Sequence, residues 1–353
     1  MKLRRLLTAL VLSGLPVGTL WAADIIEISR DDICVSDLKG EGHLSGGIPT
    51  GGIAETVSMI LCDGSAARLT LVNGKPELSD VVQNAVPVPR VEPVKMLPDS
   101  EITYGENDIR SAWLTGPTRR YAHAILGDAI EATGIAVISL MGEEILFEVG
   151  PESVFEDLRV RLVDLNGDDK DELIVIRSYL DAGAALAVYG LVNGKIAPMG
   201  ETPAIGVSNR WLNPAGAADF DGDGDIEIAY VETPHIGGTL RFFSLKPEGL
   251  VEEEALQGFS NHAIGSRELD LGAVVDWNRD GVLDLAIPDA SRSRLQVVSL
   301  AAGEAKVLAS LPQDGGRHSA RITTAVIVSD LDGDGMPELF YGLSDGSLVM
   351  MKP

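Results

Sequence analysis

DLNGDDKDEL (164–173), DFDGDGDIEI (219–228), DWNRDGVLDL (276–285) and DLDGDGMPEL (330–339) are four versions of one decapeptide, and how they are read decides the fold. Each has Asp at position 1, Asp or Asn at 3, Asp at 5 and Asp or Glu at 9, and position 6 is Gly in three of the four. Short oxygen-bearing side chains at alternate positions of a tight turn point at one centre, as a hard cation with about six to eight oxygen ligands requires. Glycine at position 6 permits the left-handed backbone such a turn needs. The loops begin 55, 57 and 54 residues apart, which is strong evidence for a repeat and for a metal site in each. The candidate ligands are Asp164, Asn166, Asp168 and Glu172; Asp219, Asp221, Asp223 and Glu227; Asp276, Asn278, Asp280 and Asp284; and Asp330, Asp332, Asp334 and Glu338. A backbone carbonyl at position 7 (Lys170, Asp225, Val282, Met336) is expected to complete each set. An EF-hand would need a bidentate acid at position 12 and a helix on each side. Position 12 is Val175, Tyr230, Ile287 or Tyr341, and the runs that follow are β-branched and aromatic.

Between loops the sequence predicts short strands and tight turns: a strand over 172–178, the turn DAGA, a strand over 185–192 and the turn NGK. The later intervals repeat this plan, with the turns PHIGG and KPEG, then ASRS and AAGE. Such turns between short β-rich runs indicate antiparallel hairpins. Three strands plus the short apolar run ahead of each loop (RVRLV, GAA, GAVV, AVIVS) make a four-stranded unit. A four-stranded antiparallel unit repeated about every 55 residues describes a propeller blade. The expected fold is all-β, a β-propeller of about six four-stranded blades, with five or seven as alternatives.

The four loops resemble the calcium loops of the VCBS/FG-GAP repeat family, whose propeller also heads integrin α chains. The resemblance covers about residues 155–353. It extends in weaker form to about residue 105, where RYAHAILGDAIEATGIAVI (120–138) reads as a degenerate copy that keeps Asp128 and Glu131. It implies up to four structural Ca2+ ions at strand-to-strand turns within blades; it does not imply a catalytic activity.

Residues 1–23 carry Lys2, Arg4 and Arg5, an interrupted apolar run and then Ala22 and Ala23, the pattern of a cleaved secretory signal. A periplasmic or secreted protein is expected, with no membrane span, since no later stretch reaches the roughly 18 apolar residues a span needs. Cys34 and Cys62 are the only cysteines, and export permits a disulfide between them, two free thiols being the alternative. LVNGK occurs at 71–75 and 191–195, the second copy inside a blade. Residues 24–100 are therefore expected to supply strands that close the propeller formed by 101–353, or else to form a small separate domain. Residues 83–98, with four prolines, read as an extended connector.

The net charge is −25, and it becomes −28 once the three bases of 1–23 are removed. Fourteen carboxylates at ligand positions supply part of that excess. So acidic a surface argues against nucleic acid and anionic lipid as partners. The loops at Asp219 and Asp330 carry four carboxylates each and are expected to bind most tightly, whereas Asp169 at position 6 should make the first loop the weakest. No nucleophile motif, zinc spacing or phosphate loop is present, and no enzymatic activity is expected. The residues left for function were sought in the long loops: Trp113, Arg119, Arg120, Tyr121, His123, Arg210, Trp211, Asn213, His235, Asn261, His262, Arg267 and His318. On one propeller face they could bind a sugar or a peptide end, or else they pack between blades or cap turns. The expected function is a monomeric module that binds a protein or glycan, with a polysaccharide-active lyase or hydrolase as the alternative.

Overall fold

The computed structural model describes residues 24–29, 31–41, 44–82, 93, 95–312 and 320–353. The expected signal segment, most of the proline-rich connector and His318 lie outside the described residues. Those described are all-β, and their one helical element is the 3-10 turn Ala301–Gly303, at the expected AAGE turn. No helix among them is long and apolar enough to cross a membrane.

Each acidic loop joins the first and second strands of an antiparallel four-stranded meander. The Asp219 sheet runs Leu212–Ala218, Glu227–Glu232, Thr239–Lys246, Gly249–Gln257. The Asp276 sheet runs Ala273–Val275, Asp284–Pro288, Leu295–Ser299, Lys306–Leu311. The Asp164 sheet has Arg161–Val163, Glu172–Tyr179, Gly183–Val192 and Lys195–Glu201. Ser153–Phe155 ties it into one nine-stranded sheet with a second meander, Thr103–Tyr104, Ile109–Thr118, Glu131–Ser139 and Glu144–Glu148. The N-terminal sheet contains Val35–Glu41, Thr56–Leu61, Ala66–Val72 and Lys75–Val82. In the Asp330 sheet the chain itself supplies Ile327–Ser329, Glu338–Gly342 and Leu348–Lys352, and the fourth strand is Asp24–Ile28, antiparallel to Leu348–Lys352.

The sheets stack face to face, which explains why the runs after the loops are apolar without alternation. Leu173 and Val175 pack with Ile109, Leu114 and Ile135 on one side, while Ile174 and Ile176 meet Trp211, Leu212 and Ile228 on the other. Tyr230 joins that second cluster, and its neighbours Ala229 and Val231 face Val274, Leu285 and Ile287. Ala286 and Tyr341 share a further core with Trp277 and Met351. Phe340 and Met350 face Val57 and Leu69 of the N-terminal sheet. Both NG turns have positive φ at both residues, Asn73 and Gly74 at 54° and 70° and Asn193 and Gly194 at 52° and 71°, the type I′ geometry that matches strand twist. Cys34 and Cys62 form a disulfide across the N-terminal sheet.

Candidate metal loops and a histidine cluster

The four acidic loops share one hydrogen-bond scheme, set by their sequence. The N–H of residue 6 donates to the position-1 aspartate in each, at 2.9 Å in Asp169→Asp164 and 3.0 Å in Gly224→Asp219. The N–H of residue 7 donates to the position-5 aspartate. The buried acid at position 9 accepts from the N–H of residue 2: Leu165, Phe220, Trp277 and Leu331 at 2.8, 2.8, 3.1 and 3.0 Å. Position 6 is left-handed throughout, including Asp169 at φ 61°. Position 4 is left-handed as well (Gly167, Gly222, Arg279, Gly333), a requirement the sequence reading did not single out.

In two loops three carboxylates converge, with ligand atoms within 4.8 Å of one another: Asp219, Asp221 and Glu227, and Asp330, Asp332 and Glu338. The loops with Asn166 and Asn278 lack a third such acid at position 3. Asp284 Oδ1 is buried without a hydrogen bond, and buried Glu338 Oε1 faces only the Lys352 ammonium, so both are oxygens that suit an oxygen-seeking cation. The region of the degenerate copy gathers no such cluster among the described residues. There Asp128 Oδ1 accepts the Ile130 N–H, and Glu131 is buried.

Three lysines reach these loops from outside the ligand positions or beside them. Lys170 Nζ lies 2.6 Å from Asp168, and Lys246 pairs with Asp225. Lys352 Nζ lies 2.7 Å from Asp332, 2.5 Å from Asp334 and 3.3 Å from Glu338. Burial opposes its charge, yet its hydrogen bonds to Asp332, Asp334 and Glu338 outweigh that and hold its pKa above the usual lysine value. Counting loop carboxylates alone therefore overstates the attraction of the Asp330 loop for a cation. Lys352→Met is expected to enlarge the calcium-dependent rise in melting temperature and to tighten calcium binding at this loop. Isothermal titration of the variant against wild type checks this, and an unchanged isotherm would contradict it.

Burial pushes Glu172, Glu227 and Asp284 up to about 7, with the other loop acids adding to the shift. Their unfolded values are about 4.3 for Glu and 3.9 for Asp. A raised carboxylate pKa means that the folded state holds its protons more tightly, so stability falls as pH rises between the unfolded and folded values. In excess chelator the melting temperature should therefore drop from about pH 4.5 to 8, and calcium, if it binds the ionised loops, should remove that slope. Melting curves at pH 5, 6, 7 and 8 with and without calcium test this, and matching slopes would count against it.

The other end of the sheets, where second and third strands are joined, gathers most of the remaining polar candidates. Four loops are tied together there. Asn209 N–H donates to the Tyr121 hydroxyl, Thr233 N–H to Trp211 O and Gly265 N–H to Ile125 O. His235 Nε2 lies 2.9 Å from His262 Nδ1. Trp211 stacks on His235 at 6.2 Å between ring centroids, contacts His262 at 4.7 Å and donates its Nε1–H to Glu156 O. His123 Nδ1 lies 2.7 Å from Glu156 Oε1, whose partner oxygen accepts from Ser178 at 2.6 Å. Glu156 is fully buried, and burial raises its pKa despite the His123 hydrogen bond. Neither Glu156 nor Ser178 was among the sequence candidates, because neither belongs to a motif or to one of the long loops.

Several candidates are structural instead. Trp113 is not on a loop: it lies in the strand Ile109–Thr118 and packs on Met96 and Ala136, because its apolar ring is buried between them. Asn213 and Asn261 are wholly buried and clasp each other's backbone, with Asn213 Nδ2 donating to Asn261 O and Asn261 Nδ2 to Asn213 O. Arg120 ties down Gly150 O and Ser153 O, and Arg267 bridges Asp99 and Asp128. Arg119 and Arg210 form no ion pair among the described residues.

No protein-family profile and no curated protein sequence matches this chain. Similar solved structures include the exotype rhamnogalacturonan lyase YesX, at 17% identity and TM-score 0.42, over 91% of this chain and 60% of that one. The rhamnogalacturonan lyase YesW matches at 14% identity and TM-score 0.46, over 91% and 62%. The WD40 domain of Toxoplasma gondii coronin matches at 11% and 0.44, over 95% and 87%. The chain spans about 60% of the length of the two lyases. At these scores the likeness bears on no activity.

Proposed function

We propose that the sheets close into a six-bladed β-propeller of the VCBS/FG-GAP kind, exported and stabilised by calcium, which acts as a binding or scaffolding module for a protein or glycan. The supporting observation is the convergence of three carboxylates in each of the Asp219 and Asp330 loops, on the scheme all four loops share. Bound calcium would neutralise acids that otherwise repel one another. Asp219, Asp221, Asp223 and Glu227 would hold it in the second loop and Asp330, Asp332, Asp334 and Glu338 in the fourth. Each ion would link a turn to the buried acid that starts the next strand and so stabilise the folded chain by mass action.

The test is the melting temperature of the exported chain in excess chelator and in 1 mM calcium, followed by terbium titration. Trp277, fully buried at position 2 of the third loop, should sensitise terbium bound there. A rise in calcium together with sensitised emission is expected. No melting shift and no sensitised emission would mean that the loops are empty acidic turns.

The second reading, a polysaccharide-active enzyme, draws on the His123–Glu156 pair as an acid–base couple. His262→Ala is a poor probe of it, because His262 is wholly buried and hydrogen-bonded on both nitrogens, so the change would also lower stability. His123→Ala is the better variant. New reducing ends or unsaturated products from a polysaccharide panel, lost in that variant, would favour the enzyme.

A further inference from the structure

The end of the sheets opposite the metal loops differs in chemistry from the rest of this acidic chain. Val207, Ile236 and Ile264 stand on three of its tied loops and are 54%, 59% and 72% exposed. Around them Arg210, Arg292 and Arg321 form no ion pair among the described residues, although the chain carries a net charge of −25. Arg292 Nη1 is buried without a hydrogen-bond partner, and its neighbour Asp289 is occupied by Ser291 and Ser293. Unpaired arginines beside exposed aliphatic side chains mark an interaction surface.

The histidine pair adds a directional group. Burial lowers His262 to about 3 and His235 to about 4, with the charge of Arg292 adding to both shifts, so both rings are neutral. His262 Nε2 faces Ser266 O, which can only accept, so that nitrogen carries the proton. His262 Nδ1 is then a lone pair and takes the Nε2–H of His235. His235 Nδ1 is left as a bare acceptor held in place by Trp211, ready for an N–H donor.

We infer that this end of the molecule docks an acidic, apolar polypeptide segment, with arginines receiving its carboxylates, Val207, Ile236 and Ile264 its apolar side chains, and His235 a backbone N–H. The inference rests on the binding-module reading and chooses between its two ligand classes. A glycan is disfavoured because the aromatic rings here, Trp211 and Tyr121, are 2% and 3% exposed and offer no face for a sugar to stack on. Acidic segments are recognised by clustered arginines in just this manner.

Fluorescence anisotropy with the full exported chain tests the inference. The probes are a labelled decapeptide alternating Leu and Glu, its Leu/Lys counterpart and a labelled oligogalacturonate. The Leu/Glu peptide should bind, and at least about tenfold more weakly to Arg292→Glu and to Ile236→Asp, the scale of losing one good contact. Ile236 is exposed, so its variant should keep the wild-type melting temperature, and Glu248→Gln, on an exposed turn at the other end, should leave affinity unchanged. Equal binding of the Leu/Lys peptide, unchanged affinity in both variants, or no peptide binding would overturn the inference. Binding of the oligogalacturonate alone would overturn the polypeptide occupant yet leave the binding module standing. Loss of the calcium-dependent melting shift would undermine the calcium reading independently.

Discussion

Replacing Glu227 with alanine is expected to lower stability in calcium by about 2–4 kcal/mol and to remove one bound ion per molecule. Two effects add. The Phe220 N–H, buried at the start of the loop, loses its 2.8 Å acceptor, which costs about 1–3 kcal/mol. The second effect is the lost ion. A site with a dissociation constant of about 10⁻⁴–10⁻³ M contributes about 0.4–1.4 kcal/mol at 1 mM calcium. In chelator the loss should be smaller, because the ionised Glu227 is itself disfavoured there, as its rise to about 7 records. Denaturant titrations in both conditions measure the difference. An equal loss with and without calcium would mean that the residue is only a turn-capping acid. Glu338→Ala should behave alike, with a weaker calcium dependence while Lys352 stays in place.

The second large effect belongs to the disulfide. Cys34 and Cys62 are 28 residues apart, and closing a loop of that size stabilises by about 3–4 kcal/mol in the chain-entropy account. The paired Cys34→Ser and Cys62→Ser variant should lose that amount, and reduction of the wild type should reproduce it. The Cys62 N–H to Cys34 O bond remains available to the variant, so the loss is chiefly that of the covalent link. Urea titration of the oxidised protein, the reduced protein and the variant decides; a loss below about 1 kcal/mol would show that the unfolded chain is held compact by other means.

What could be read in the sequence was what the backbone imposes locally. The alternation of oxygen ligands, the left-handed position 6 and the NG turns each follow from geometry within a few residues, and the structure has them. The strands after the loops were legible because both faces are buried. The short strands ahead of the loops were much fainter. Ala273–Val275 and Ile327–Ser329 are three residues long, and in Leu212–Ala218 a small residue is forced at Gly216, where a Cβ would lie 2.6 Å from Val274 Cγ2. Arg279 at the left-handed position 4 had no motif to announce it. Lys352 was invisible to a reading by loops, since the last strand carries it to acids 14 to 20 positions earlier. The histidine cluster was seen only as a set of names. Its contacts depend on how the loops of separate sheets meet, and no spacing in the chain encodes that.

The pairing of Asp24–Ile28 with Leu348–Lys352 has a consequence in time. The sheet that carries the fourth acidic loop cannot be finished until both of these distant segments are available, so a chain synthesised from its N-terminus holds that sheet incomplete to the last. Its edge strand stays open meanwhile, and so does Phe340, whose cover includes the same sheet's neighbours. Joining contacts so far apart in sequence makes folding slow. The register also sets Asp24 directly opposite Lys352, the residue that reaches into the Asp330 loop. Anything fused ahead of residue 24 would therefore sit beside that loop, and a tag chosen for purification by metal affinity would bring its own histidines to the rim of the site being measured.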